Sequence, residues 1–438
     1  MPDTERKDKF VSRRSFLRTG GTLATVALIT PVVAACGDST PNAGAVLTTA
    51  TANTTPTGTT SAASTTTAAI TSSKAVSTTA NTTTTRVAPN ATTTGNLPFA
   101  GRTLTVFVYA GLTETTFREV YAPAFEKLTG ARMVLSPGWW DAAAKLQASP
   151  DDQPPFDLVE TDPIQGYPGI RQGLFQKIDI TKIPNARNFA PQILDSTIYR
   201  DSWGLPFISS AMTLCWQTEL VPEGLKKWSD LFSEGLKGKI MLYNSYYMSL
   251  YTFAVAKVEM DGKPGTAKQE IANNLDGVLQ FARDKRDWVK YWWPTTADGV
   301  NALLQKNVSA GNIHGNGLIS PIQSNKPVGF TVPTNDQAYV QLFFVVPKTT
   351  KQADLAQAAM DFFASQDIQR AFGAQTGQFS VNIPSIASEV AVKQPVWAKV
   401  YPNQPDHFAN LSYYPYDLYD KNDDKISKFW NSQVLRKS

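Results

Sequence analysis

Histidine and cysteine are nearly absent, with two of each in 438 residues. The histidines, His314 and His407, form no His-Glu-x-x-His pair, and no Cys-His cluster occurs. No Gly-x-Ser-x-Gly elbow and no glycine-rich phosphate loop is found. These absences argue against zinc hydrolases, elbow-type serine hydrolases and P-loop enzymes. The expectation is therefore no catalytic residue, no metal and no cofactor. A hydrolase using two carboxylates stays open, because it needs only a pair of acids. The two cysteines, Cys36 and Cys215, exclude a disulfide framework. Cys215 lies in an apolar run, Met212 to Trp216, and reads as a buried small hydrophobe. Net charge is also scarce. The formal charge is +4, but six basic and three acidic side chains fall in residues 1–35, leaving 35 basic against 34 acidic. A near-neutral chain lacks the basic face that a nucleic-acid partner requires.

The first 36 residues have the order of an export signal. Arg6, Lys7 and Lys9 open it, Arg13 and Arg14 precede Phe16 and Leu17, and an uncharged run spans 19–35. The paired arginines suggest the twin-arginine route. Gly20, Gly21, Thr22, Thr25, Thr30 and Pro31 make the run a poor membrane span. Its end, Val33-Ala34-Ala35-Cys36, resembles the lipobox of bacterial lipoproteins. That resemblance implies removal of residues 1–35 and a lipid on Cys36. The chain would then be anchored on the outer face of the cell membrane.

Residues 36–97 are rich in Thr, Ser, Ala and Asn and almost free of aromatics. Such a segment buries too little apolar surface to offset the entropy of ordering. It reads as a tether with an end-to-end distance of about 40–45 Å. From Leu97 onward the pattern becomes globular. Strands are expected at 102–109, 131–135, 156–160, 239–243, 310–314, 329–332 and 338–346. Helices are expected at 117–130, 270–290 and 351–375. This alternation predicts an α/β fold with largely parallel sheets. About 340 residues exceed what one core usually holds, which predicts two lobes.

Five segments, in order, resemble the solute-binding proteins of ABC importers. The family meant is the extracellular one that includes spermidine/putrescine and ferric-iron receptors. The segments are the opening strand with its helix ending at Gly130, and 156–160 leading to Gly173-Leu174-Phe175. Then come Trp203-Gly204-Leu205-Pro206-Phe207, Trp228-Ser229-Asp230-Leu231 followed by Gly238-Lys239-Ile240, and Val346-Pro347-Lys348 with its helix. The resemblance implies a two-lobed periplasmic-binding-protein-like fold. Each lobe would be a mostly parallel sheet flanked by helices, with two crossover strands between them. Lobe one would be 98–208 plus 335–438, and lobe two 209–334. It further implies a monomer that captures a small solute and delivers it to an ABC permease with its ATPase.

Ligands of open α/β sheets sit beyond the carboxyl ends of strands, often between domains. Candidates at those positions are Tyr109, Trp139, Trp140, Glu160, Thr161, Asp162, Ser209 and Ser210. In the second half they are Tyr243, Ser245, Tyr246, Tyr247, Trp293 and Asn316, with Asp336 near the last crossover. Several have structural readings too. Asp162 before Pro163 is a natural helix N-cap. Trp139 and Trp140 cannot both face one way. Aromatic walls with one or two carboxylates suit an organic cation, which makes a polyamine-like solute the first expectation. One departure weighs against it. The stretch 339–344 lacks the acid that polyamine receptors carry there. Dense tyrosines at 243, 246, 247 and 251 keep ferric iron as an alternative, and helix N-termini keep an anion.

Overall fold

The computed structural model describes residues 97–436, apart from 263, 334–335 and 377–378. The expected signal, Cys36 and the tether up to residue 96 lie outside the described residues. The strands are β1 (Thr103–Tyr109), β2 (Arg132–Gly138), β3 (Leu158–Thr161), β4 (Phe175–Gln176) and β5 (Gly204–Gln217). They continue with β6 (Ile240–Tyr243), β7 (Val289–Trp293), β8 (Ala310–His314), β9 (Val328–Thr331) and β10 (Tyr339–Pro347). Their order is β2-β1-β3-β10-β5-β8-β6-β7, with β4 on β10 and β9 on β5.

The parallel pairings occupy the two flanks. On one flank β1 runs parallel to β2 and β3, and on the other β6 runs parallel to β7 and β8. Strand β5 links them. Its residues 204–211 pair antiparallel with β10, and 212–217 pair antiparallel with β8 and β9. All 14 residues of β5 are buried except Trp216, as expected of a strand running through the middle. The chain returns through β9 and β10, so two antiparallel strands join two parallel flanks. The observed architecture is thus a mixed α/β fold on one continuous ten-stranded sheet, with parallel flanks joined through antiparallel strands.

Two large apolar cores accompany the flanks. One gathers β1, the first part of β5, β10 and the helices Ala353–Ala364 and Pro384–Lys393. The other gathers β6, the helices Tyr246–Asp261 and Ala267–Lys285, and the closing segment from Tyr414 to Val434. Every side chain from Tyr246 to Ala256 is buried, the mark of a helix packed on all sides.

Two expected helices differ. The 270–290 helix starts earlier, at Ala267, and ends at Lys285. Lys290 belongs to β7, where β-branched and aromatic side chains outweigh the charge pattern that precedes them. The 351–375 helix is broken at Ser365, which is extended (φ −67°, ψ 148°) and returns its hydroxyl to the Phe362 carbonyl. Cys215 is fully buried, with its thiol on the Gly311 carbonyl at 3.4 Å, as the apolar run predicts.

Candidate functional site

The carboxyl ends of β1, β3, β6, β7 and β8 are Tyr109, Thr161, Tyr243, Trp293 and His314. Asp162 follows β3 directly and caps the helix Pro163–Arg171 by accepting the Gln165 N–H at 3.1 Å. The expected N-cap is therefore real. Only one of its oxygens is used this way. The other, Oδ2, accepts the Tyr109 hydroxyl at 3.1 Å. Tyr109 also donates its backbone N–H to Glu160 Oε2 at 2.8 Å.

Both carboxyls are buried, and no lysine or arginine among the described residues forms an ion pair with either. Burial pushes Glu160 up to about 8, against the pull of the Tyr109 N–H, and the charge of Asp162 adds to the rise. Burial pushes Asp162 up to about 6. The Gln165 N–H, the Tyr109 hydroxyl and the Trp140 indole hold it lower than burial alone would. Glu160 Oε1 has no hydrogen-bond partner among the described residues. Glu160 and Thr161 border a small cavity of about 10 Å³ beside Tyr109 and Trp140.

Aromatic rings surround this pair. Trp140 holds a left-handed backbone (φ 57°), which turns it away from its neighbour. Trp139 is 46 % exposed and leans on Tyr109 at 5.1 Å between ring centroids. Trp140 meets Tyr247 of the opposite core at 6.3 Å. Tyr243 stacks on Trp293 at 4.2 Å, and the Tyr247 hydroxyl lies 3.3 Å from His314 Nε2. The charge of Asp162 acts on Tyr243, Tyr247 and Tyr416, so this acid of the first half faces tyrosines associated with the second. Burial draws His314 down to about 4, so its imidazole is neutral.

The structure thus brings together Tyr109, Trp139, Trp140, Glu160 and Asp162 with Tyr243, Tyr247 and Trp293. Trp293 is fully buried, with its indole N–H on the Asn312 carbonyl, so it supports Tyr243 from behind. Other candidates have separate partners. Tyr246 donates to Asp423, and Asp336 accepts from Tyr251 and from the Ala267 N–H. Ser209 meets the Tyr413 hydroxyl at 3.0 Å, and Ser210 bonds Asn316 Oδ1 at 3.2 Å. Ser245 stands at the start of the helix Tyr246–Asp261 with no side-chain cap bond. The four clustered tyrosines spread over different partners, with Tyr246 and Tyr251 tied to separate aspartates, rather than converging as ligands of one ion.

Sequence reasoning missed Tyr416 and the site position of His314. Tyr416 comes from the Tyr- and Pro-rich end of the chain, where no periodic pattern marks a face. It packs on Tyr247 at 6.4 Å. For His314, the signal was its place at the carboxyl end of an expected strand.

Residues 121–399 match the family described as bacterial extracellular solute-binding protein. The spermidine/putrescine-binding periplasmic protein of Escherichia coli is 21% identical over 280 residues, 61% of this chain and 76% of that protein. A gamma-aminobutyric acid-binding protein of Pseudomonas aeruginosa is 23% identical over 279 residues, 63% of this chain and 75% of that protein. Among solved structures, an ABC transporter substrate-binding protein from Bradyrhizobium japonicum superposes with a TM-score of 0.64 at 17% identity. It covers 76% of this chain and 99% of its own. The fold, with parallel flanks and two linking strands, is that of the periplasmic binding proteins. The chain belongs to the bacterial extracellular solute-binding proteins, the exported components that bind small solutes and work with ABC-transporter permeases.

Proposed function

We propose that this chain is a membrane-tethered receptor that binds the ammonium group of a small organic cation at Asp162. One observation carries the reading. A buried carboxylate at the end of β3 has no cationic partner among the described residues and stands among Tyr109, Trp140, Tyr243, Tyr247 and Tyr416. An uncompensated buried charge is costly, and an ammonium ion removes that cost while gaining aromatic faces. The named ligands of the two relatives, polyamines and gamma-aminobutyric acid, all carry an amine. The lobes are 98–208 plus 335–438 and 209–334. Solute touching both lobes shifts the population toward a closed form that docks on the permease.

Binding without turnover is part of the proposal. Glu160 and Asp162 are joined through one tyrosine on one strand end, not opposed across a groove as a carboxylate-pair hydrolase requires. The receptor works as a monomer. Upstream, residues 1–35 act as a twin-arginine signal, Cys36 carries the lipid and 36–97 form the tether. Labelling with a radioactive fatty acid checks the anchor, and label retained on Cys36→Ser refutes it.

The binding claim is tested by calorimetric titration with putrescine, spermidine and 4-aminobutyrate. Asp162→Asn should weaken whichever amine binds by about tenfold to a hundredfold, the scale of a lost hydrogen bond to a charged group. Unchanged affinity in that variant would sink the assignment.

A further inference from the structure

Glu160 is the buried ionisable group that the ammonium site leaves unused. It lies on β3, two residues before Asp162, with none of its surface exposed. Its Oε2 accepts the Tyr109 N–H at 2.8 Å, and its Oε1 has no hydrogen-bond partner among the described residues. Asp162 is better provided, with the Gln165 N–H on one oxygen and the Tyr109 hydroxyl on the other. A carboxylate removed from water needs such donors to stay ionised, and a carboxyl with fewer of them keeps its proton. The two acids are therefore unequal, with Asp162 the anion and Glu160 the neutral acid. Burial pushes Glu160 up to about 8 despite the Tyr109 N–H, and the charge of Asp162 adds to the rise.

The ionisable groups around Glu160 are few. Tyr109 meets it from β1, its charge reaches the Tyr121 phenol on the helical turn Phe117–Tyr121, and Asp162 stands beyond the end of its own strand. Burial pushes both phenols up, away from ionisation. Strand β10 sets Phe344 opposite Glu160, between Phe343 and Val345. On the helix Ala142–Ala148, Lys145 pairs with Asp141 at 2.8 Å. On the helix Pro163–Arg171, Tyr167 and Arg171 are bonded to Asp417 and Asp420. The cavity of about 10 Å³ that touches Glu160 also has Thr161 and Gln165 in its wall. That volume fits one water molecule, with polar side chains to hold it beside the carboxyl.

We propose that an ammonium ion arriving at Asp162 expels the proton of Glu160, so that the receptor exchanges a proton for its solute. This rests on the Asp162 reading and adds a linked proton to it. The O–H bond of Glu160 breaks, its electron pair stays on the carboxylate, and the proton passes by way of the cavity to solvent. The bound cation cancels the repulsion that Asp162 exerts on an ionised Glu160 and adds an attraction of its own. The solute-bound receptor thus holds fewer protons than the empty one. Affinity therefore rises with pH and levels off above about 8, where the empty receptor has lost the proton too. His314, drawn down to about 4 by burial, is already neutral and has no such proton to give.

The test is calorimetric titration of the full-length chain with putrescine, spermidine and 4-aminobutyrate, in two buffers of different ionisation enthalpy. At about pH 7.5, whichever solute binds should release roughly half a proton or more. Its affinity should rise about threefold to fivefold from about pH 7 to about pH 8. In Glu160→Gln the release should fall close to zero, and affinity should change by less than about twofold over the same range, whatever its absolute value. A parent chain that binds without releasing a proton overturns the proposal. So does a folded Glu160→Gln variant that releases as many protons as the parent. Should that variant fail to fold, the parent's proton count and pH profile decide. Asp162→Asn separates the two readings. Affinity unchanged in that variant, or a parent that binds none of the three, refutes the ammonium site and the exchange with it. Affinity lost there, with no proton released by the parent, refutes only the exchange.

Discussion

The Tyr109 hydroxyl donates to Asp162 Oδ2 at 3.1 Å, from the end of one parallel strand to the end of its neighbour. The same residue's N–H holds Glu160, so one tyrosine orients both buried acids. The arrangement leaves Asp162 with a fixed direction and Glu160 with one oxygen that has no hydrogen-bond partner among the described residues.

Tyr109→Phe should therefore weaken amine binding without unfolding the chain. The ring and the backbone N–H remain, and only the hydroxyl is lost. A hydrogen bond to a charged group is worth about 1.5–3 kcal/mol, so the expected loss is roughly tenfold to a hundredfold. Titration calorimetry beside a melting curve separates this from general damage. Equal affinity in parent and variant would show that the hydroxyl plays no part in the site.

The two acids also make stability depend on pH. Burial raises Glu160 to about 8 and Asp162 to about 6, both above the ordinary carboxyl range near 4. Between that range and the raised values, the folded chain holds protons that the unfolded chain has released. The contribution of these groups to stability is thus fullest at low pH and falls as pH rises toward about 8. Glu160→Gln stays neutral throughout. Its melting temperature should decline less than the parent's from about pH 5 to about pH 8. Parallel curves would mean that Glu160 ionises normally in the fold.

Much of the fold was legible because periodicity reports burial. The apolar run of 239–243 and the β-branched and aromatic bias of 102–109 became β6 and β1 with bounds shifted by a residue. The sheet-end argument likewise pointed to Tyr109, Asp162, Tyr243 and Tyr247, since strand ends are readable once strands are. What could not be read was the return of the chain. Tyr414 lies in a loop, and Tyr416 and Tyr419 in the short helix Tyr416–Lys421, whose pattern names no face, yet all three pack against the helix that begins at Tyr246. Likewise the sequence holds nothing to say that the Asp336 carboxylate closes on the Tyr251 hydroxyl and the Ala267 N–H.

Strand packing beneath the site depends on Gly311. A Cβ there would stand 2.1 Å from the Met241 carbonyl oxygen on β6. Backbone cannot yield as a flexible side chain can, so Gly311→Ala must spread β6 and β8. Overpacking of this kind costs about 1–3 kcal/mol, and each kcal/mol lowers the melting temperature by about 1–2 °C in a folded part of roughly 340 residues. A calorimetric scan that finds no change would contradict the observed closeness of the two strands.

Asn312 ties that packing to the walls of the proposed binding site. It is fully buried on β8, and its Oδ1 accepts the Tyr243 N–H at 2.9 Å and the Trp293 indole at 3.3 Å. Its amide donates to Thr252 at 2.9 Å and Ser249 at 3.3 Å. Asn312→Leu keeps similar bulk but leaves the Tyr243 N–H without that acceptor in the interior. An unmade buried bond costs about 1–3 kcal/mol, and the stacked Tyr243–Trp293 pair loses its common anchor. The variant should melt lower and show altered near-ultraviolet circular dichroism from the displaced tryptophan. It should also bind amines more weakly than its stability loss alone requires, because Tyr243 forms part of the wall facing Asp162. A variant that melts lower yet binds with the parent's affinity would place Tyr243 outside the site.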